Sequence, residues 1–160
     1  MSGIRFSIAC LFCFALFAGC RSVPPIAANG SKPVFKVYVD SNESSVSDPV
    51  WRQRRREVAS WMADDCVDIL SRGGCDASRA TSVDPSSYPG AYFLKITITN
   101  YRWRYMGTTL DVKYILTKGG KRIISSTDGC GTSRNWRNCC RKVNTDITDA
   151  IRSELAKGNR

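Results

Sequence analysis

The chemistry open to this chain is bounded first by a missing residue type. There is no histidine among the 160 residues, which removes Ser-His-Asp and Cys-His nucleophile systems and every metal site built on imidazole. Paired carboxylates remain, since an acid and a base flanking a glycosidic bond suffice for hydrolysis. The glutamates are only three: Glu43, Glu57 and Glu154. Asp64, Asp65 and Asp68 cluster, and the four-residue step from Asp64 to Asp68 puts both on one helix face. A solvated face pairing with nearby arginines accounts for that cluster better than catalysis does. No Ser-x-x-Lys occurs. The expectation is a protein that is not an enzyme.

The positive signal is arginine beside aromatic residues, in three places. Trp51 is followed by Arg52, Arg54, Arg55 and Arg56; Arg102 and Arg104 interleave with Tyr101, Trp103 and Tyr105; Arg134, Arg137, Arg141 and Lys142 surround Trp136. Guanidinium groups offer forked donors to carboxylate or phosphate, and flat rings stack on sugars or on guanidinium. Four arginines at a helix start also oppose the helix dipole, at some tenths of a kcal/mol each. That cost fits an anionic partner, although plain solubility explains it too. The candidate binding residues are Arg54, Arg55, Arg102, Trp103, Arg104, Trp136 and Arg137. On a strand, Arg102 and Arg104 alternate with the aromatics on opposite faces and need not act together.

The first 20 residues carry an address. Arg5 supplies a positive start, Ile8 to Phe17 an apolar run, and Ala18-Gly19 the small residues that precede a cleavage site. The run is about half the ~20 residues that span a bilayer, so it reads as a removable signal. Phe17-Ala18-Gly19-Cys20 resembles the lipobox of bacterial lipoprotein precursors, with Phe17 where an aliphatic residue is commoner. That resemblance implies cleavage before Cys20, with diacylglycerol and an N-acyl chain such as palmitate on Cys20, enough for stable anchoring. Arg21, where retained lipoproteins carry Asp, implies the outer membrane, facing the periplasm. Ordinary secretion is the alternative. The expected layout is signal peptide 1–19, lipidated cysteine and flexible tether 20–33, and one domain over 34–160.

The whole chain has a net charge of +10, and the segment before Cys20 holds one charge, Arg5, leaving +9. Such a balance favours anionic surfaces: phospholipid, lipopolysaccharide or peptidoglycan carboxylates. For an exported protein nucleic acid is not expected. Cys10 and Cys13 leave with the signal, so Cys66, Cys75, Cys130, Cys139 and Cys140 remain. In an oxidising compartment these are disulfide candidates, Cys66 with Cys75 and Cys130 with Cys139 or Cys140, with one left over. A Cys-only zinc site would need four thiolates of five, two of them adjacent, so neither metal nor cofactor is expected.

These residues must be held by elements the pattern predicts. Val34–Val39 reads as a strand. Asp48-Pro49 caps a helix over about 49–72, with Val58, Met62, Cys66 and Ile69 as its stripe, stopped by Gly73-Gly74. A short edge strand is expected between Cys75 and Val83. Ala91–Tyr105 is the strongest strand, with a bulge expected after Asn100, where the apolar phase shifts. A turn at Met106-Gly107-Thr108 leads to a strand of Leu110, Val112, Tyr114 and Leu116. Gly119-Gly120 makes a two-residue hairpin into Arg122–Cys130. Asn138 is the expected cap of a last helix ending at Gly158.

The expected fold class is α+β, an antiparallel sheet of about four to five strands with two amphipathic helices on one face. Over about residues 34–157 the element order resembles small periplasmic lipoprotein domains of the TolB N-terminal, curli-secretion and penicillin-binding-protein-activator types. In those families the domain binds or assembles partners and does no chemistry. The expected function is therefore a non-enzymatic envelope module, anchored by lipid and contacting an anionic envelope polymer or a partner protein. The alternatives are a cell-wall or polysaccharide hydrolase using Asp and Glu, a freely secreted disulfide-stabilised protein, and a lipoprotein that only tethers.

Overall fold

A computed structural model describes residues 31–104, 107–133 and 135–157. Cys20, its signal and most of the tether lie outside the described residues. The elements run β1 (Val34–Asp40), α1 (Pro49–Arg72), β2 (Asp76–Arg79), β3 (Tyr92–Arg104), β4 (Gly107–Lys118), β5 (Lys121–Ser133) and α2 (Trp136–Lys157).

The five strands form one sheet in the order β2-β1-β3-β4-β5. It is mixed, not antiparallel as expected: β1 runs parallel to both β2 and β3, while β3-β4 and β4-β5 are antiparallel. The cause is the connection. α1 has 24 residues, about 36 Å at 1.5 Å per residue, enough to return the chain along the sheet so that β2 starts from the same end as β1. Strand residue types are the same in either direction.

Local signals explain the boundaries. The Asp48 carboxylate accepts from the Val50 amide at 2.8 Å, ahead of Pro49 at the first helical position. Gly119 and Gly120, φ 55° and 76°, close the β4–β5 hairpin between Lys118 and Lys121. The β3–β4 register shifts between Ile98 and Asn100, just ahead of the place expected for the bulge, after Asn100. Gly107 and Thr108, expected in a turn, instead belong to β4. The last helix begins before Asn138. The side chain of Asn135 accepts from the Arg137 amide at 2.9 Å and its carbonyl from the Cys139 amide at 3.2 Å, so Asn135 opens the helix.

Phe35, Val37, Leu94, Ile96, Ile98, Leu110, Val112, Tyr114 and Leu116 face the helices, meeting Val58, Met62, Cys66 and Leu70 of α1 and Val143, Ile147 and Ile151 of α2. Ile69, expected in the α1 stripe, is only half-buried. A buried polar link joins the helices. Asn144 donates to the Met62 carbonyl and to Asp65, each at 3.0 Å, and Arg141 donates to Asp65 at 3.1 Å. The aspartate cluster is thus not uniformly solvated: Asp64 pairs with Arg79 and Asp68 with Arg72, but Asp65 is buried.

Candidate functional site: an arginine–aromatic corner

The three arginine–aromatic clusters meet where the start of α1, the end of β3 and the start of α2 come together. Past the bulge, Tyr101 and Trp103 occupy alternate positions on the helix-facing side of β3. There they bound a cleft of about 120 Å³ with Trp51, Arg54, Glu57 and Trp136. A shallower depression of about 570 Å³ adjoins it, bounded by Arg56, Trp61, Asp64 and Arg137 and sharing Glu57 and Trp136 with the first. The shared residues make the two one continuous surface.

The rings brace one another. Trp51 meets Tyr101 edge-on at 6.3 Å, and Trp61 meets Trp136 edge-on at 5.6 Å. The Arg137 guanidinium lies over Trp136 at 5.4 Å, and that of Arg141 over Trp61 at 5.8 Å. Trp103 keeps 54% of its surface in solvent, unusual for so large an apolar group. Tyr101 forms the floor. Its burial, with Cys140 close by, pushes the phenol up to about 12, so it stays protonated at neutral pH.

Not every candidate joins the corner. Arg54 does, with its guanidinium 2.9 Å from Glu57. Arg55 turns inward instead and donates to the Asn42 carbonyl at 3.3 Å and to Ser45 Oγ at 2.9 Å. It pins the short 3₁₀ turn Glu43–Ser45 to α1. Arg102 is exposed and alternates with Tyr101 and Trp103, on the opposite sheet face. Arg134 and the side chain of Arg104 lie outside the described residues. Sequence reasoning missed Trp51, Trp61 and Tyr101 as binding candidates. Tyr101 did carry a signal, two residues from Trp103 on the same strand face; Trp61 lies about 80° round α1 from Trp51 and carried none.

Cys66, Cys75, Cys130, Cys139 and Cys140 are all buried thiols in this structure. Burial and neighbouring Asp65 push both Cys66 and Cys140 up to about 12. Among the described residues no group of three or more acidic or cysteine side chains is placed to hold a metal ion.

No family model and no curated protein matches the chain. Solved structures do. PelC from Paraburkholderia phytofirmans, described as a dodecamer, is 19% identical over 82% of this chain and 91% of its own, with a TM-score of 0.53. Protein XCC0632 from Xanthomonas campestris, assigned to the DUF330 family model, is 10% identical over 85% of this chain and 95% of its own, with a TM-score of 0.54. At these identities the likeness is one of fold: this chain has the fold seen in PelC and XCC0632.

Proposed function

We propose that this protein is a non-enzymatic binding or assembly module of a bacterial cell envelope, exported, anchored through lipid on Cys20, and contacting an anionic envelope polymer through the corner around Trp103 and Trp136. The observation that carries the reading is the meeting of Trp51, Arg54, Tyr101, Trp103, Trp136 and Arg137 on one surface. Exposed indole faces bordered by guanidinium groups suit a sugar polymer bearing carboxylate or phosphate. The dodecameric PelC, with the same fold, fits a role in which copies assemble.

The hydrolase alternative draws less support from the same corner. Its two carboxylates, Glu57 and Asp64, are seven residues apart on one helix, about 10.5 Å of rise, beyond the roughly 5–9.5 Å of glycosidase pairs. Each already faces a cation, Arg54 and Arg79.

Two measurements test the proposal. Intact mass of protein from membranes, against Cys20→Ser, should show residues 20–160 plus a triacylated head that the variant loses; an unmodified mass rejects the anchor. Co-sedimentation with purified peptidoglycan should weaken about tenfold or more for Trp103→Ala, as for an aromatic anchor worth ~1.4 kcal/mol or more. Arg102→Ala, on the other sheet face, should bind as the native protein does. Equal binding by all three, or equal loss in both variants, rejects the corner as the site.

A further inference from the structure

Beneath the corner, Cys139 in the first turn of α2 points at Cys130 near the end of β5. Its thiol donates to the Cys130 carbonyl at 3.3 Å, and the Cys130 thiol is its electrostatic neighbour. Cys130 is fixed in turn by pairing with Leu110 across the β4–β5 ladder. Both residues are buried.

We propose that Cys130 and Cys139 form a structural disulfide in the native protein, closed during folding, that staples the end of β5 to the start of α2 and so holds Trp136 and Arg137 in the binding corner. The proposal rests on the export reading above, because an exchange partner able to oxidise thiols stably belongs to an oxidising compartment.

The geometry selects this pair from the five. Cys140 lies about 100° further round the helix, and its thiol feels Asp65 on the α1 side more strongly than it feels Cys130. The Cys75 amide donates to the Leu70 carbonyl at 3.1 Å, one full helical turn beyond Cys66. Cys75 thus stands past about 6 Å of helical rise from Cys66, whereas Cys139 is in direct contact with Cys130. We assign this one pair, which leaves Cys66, Cys75 and Cys140 buried and packed like small apolar residues. This also resolves the odd count.

The oxidation balances as thiol–disulfide exchange. One thiolate attacks an external protein disulfide, and the second thiolate displaces that partner from the mixed disulfide. The protein's S–S bond forms as the partner's breaks; two electrons pass to the partner, which leaves as a dithiol carrying the two protons the cysteines gave up. Timing follows from burial. In the folded chain burial raises the Cys139 thiol well above its usual range, so little thiolate exists and no partner can reach it. Exchange must precede closure of the core.

The test uses the full chain twice: isolated from the cell envelope with thiols quenched on lysis, and refolded from the reduced state with oxidised and reduced glutathione. Alkylation after denaturation, followed by mapping, should find Cys130 and Cys139 unlabelled and their peptides joined until reductant is added. Because Cys139 and Cys140 share a tryptic peptide, Cys140→Ser should keep the link and Cys139→Ser should lose it. A link in both samples supports the proposal. A link only after refolding overturns it as a native bond and places the fault with export. Full labelling in both samples, or a link that needs Cys140, overturns it on geometry and leaves export standing.

Discussion

Asp65 and Arg55 are charged side chains on α1 that the fold takes inside, and each has a distinct reason to be tolerated. Asp65 is held by Asn144 and Arg141, but the two partners are unequal: Asn144 is fully buried, whereas the Arg141 side chain keeps 61% exposure. Removing Arg141 returns a mobile arm to water, so Arg141→Ala should cost less than about 1 kcal/mol. Asn144→Ala removes two buried hydrogen bonds and strands both the Met62 carbonyl and Asp65, which should cost about 2–4 kcal/mol. Urea midpoints of the two variants decide it; equal losses would mean the ion pair, not the amide, joins the helices. The thiols give a second prediction at this scale. Cys66 and Cys140 titrate near 12 when folded but near 8.5 in an unfolded chain. Below about pH 8.5 both states keep these protons and the stabilisation is complete. As pH rises from there towards 12 the unfolded chain alone loses them, so stability falls. Urea titrations from pH 7 to 11 should show that decline, shallower in Cys66→Ala; a flat profile from pH 8.5 to 10.5 would contradict it. Neither residue role was legible in the sequence. Arg55 looked like a member of an arginine run and Asp65 like a member of an aspartate run, because runs hide which position of a helical turn points inward.

Element existence was far more legible than element direction. The cap at Asp48-Pro49, the bulge after Ile98 and the glycine pair at the β4–β5 turn each leave a local mark, since each solves a backbone problem that few residue types can solve. The parallel placement of β1 leaves no such mark. Phe35 and Val37 point into the core either way, and only the long return through α1 sets the direction. The hairpin yields a prediction at this scale. Gly120 has φ 76° with open space around its α-carbon, so a side chain there meets backbone strain and no clash. Gly120→Ala should therefore cost about 1 kcal/mol, and Gly120→Val more, since a β-branched residue resists positive φ. Gly120→Asn should be nearly neutral because asparagine tolerates the left-handed region. Thermal midpoints in that order support the turn geometry; an alanine variant as tolerant as asparagine would contradict it.

At the scale of the molecule, three clusters separated by about 35–50 residues in sequence become one surface because α1, β3 and α2 all place an end at the same corner. The sequence held every side chain of that corner but not their meeting, which depends on where each helix crosses the sheet. What surrounds the corner is a strongly cationic protein, so binding there combines short-range stacking with a longer-range field. The two respond differently to salt. At ~0.1 M ionic strength charges are screened beyond about 10 Å, so the field contribution shrinks as salt rises while ring contacts persist. Affinity for an anionic polymer should therefore fall between 50 and 200 mM salt, ranges chosen to bracket that screening length. Arg137→Ala should bind more weakly at low salt and lose part of the salt dependence, because it removes one of the screened charges. Trp103→Ala should bind more weakly by the same factor at every salt concentration. If instead Trp103→Ala flattened the salt dependence, or Arg137→Ala left it unchanged, the corner would not be reading charge and aromatic surface together, and the bound partner would have to be sought among uncharged polymers or proteins.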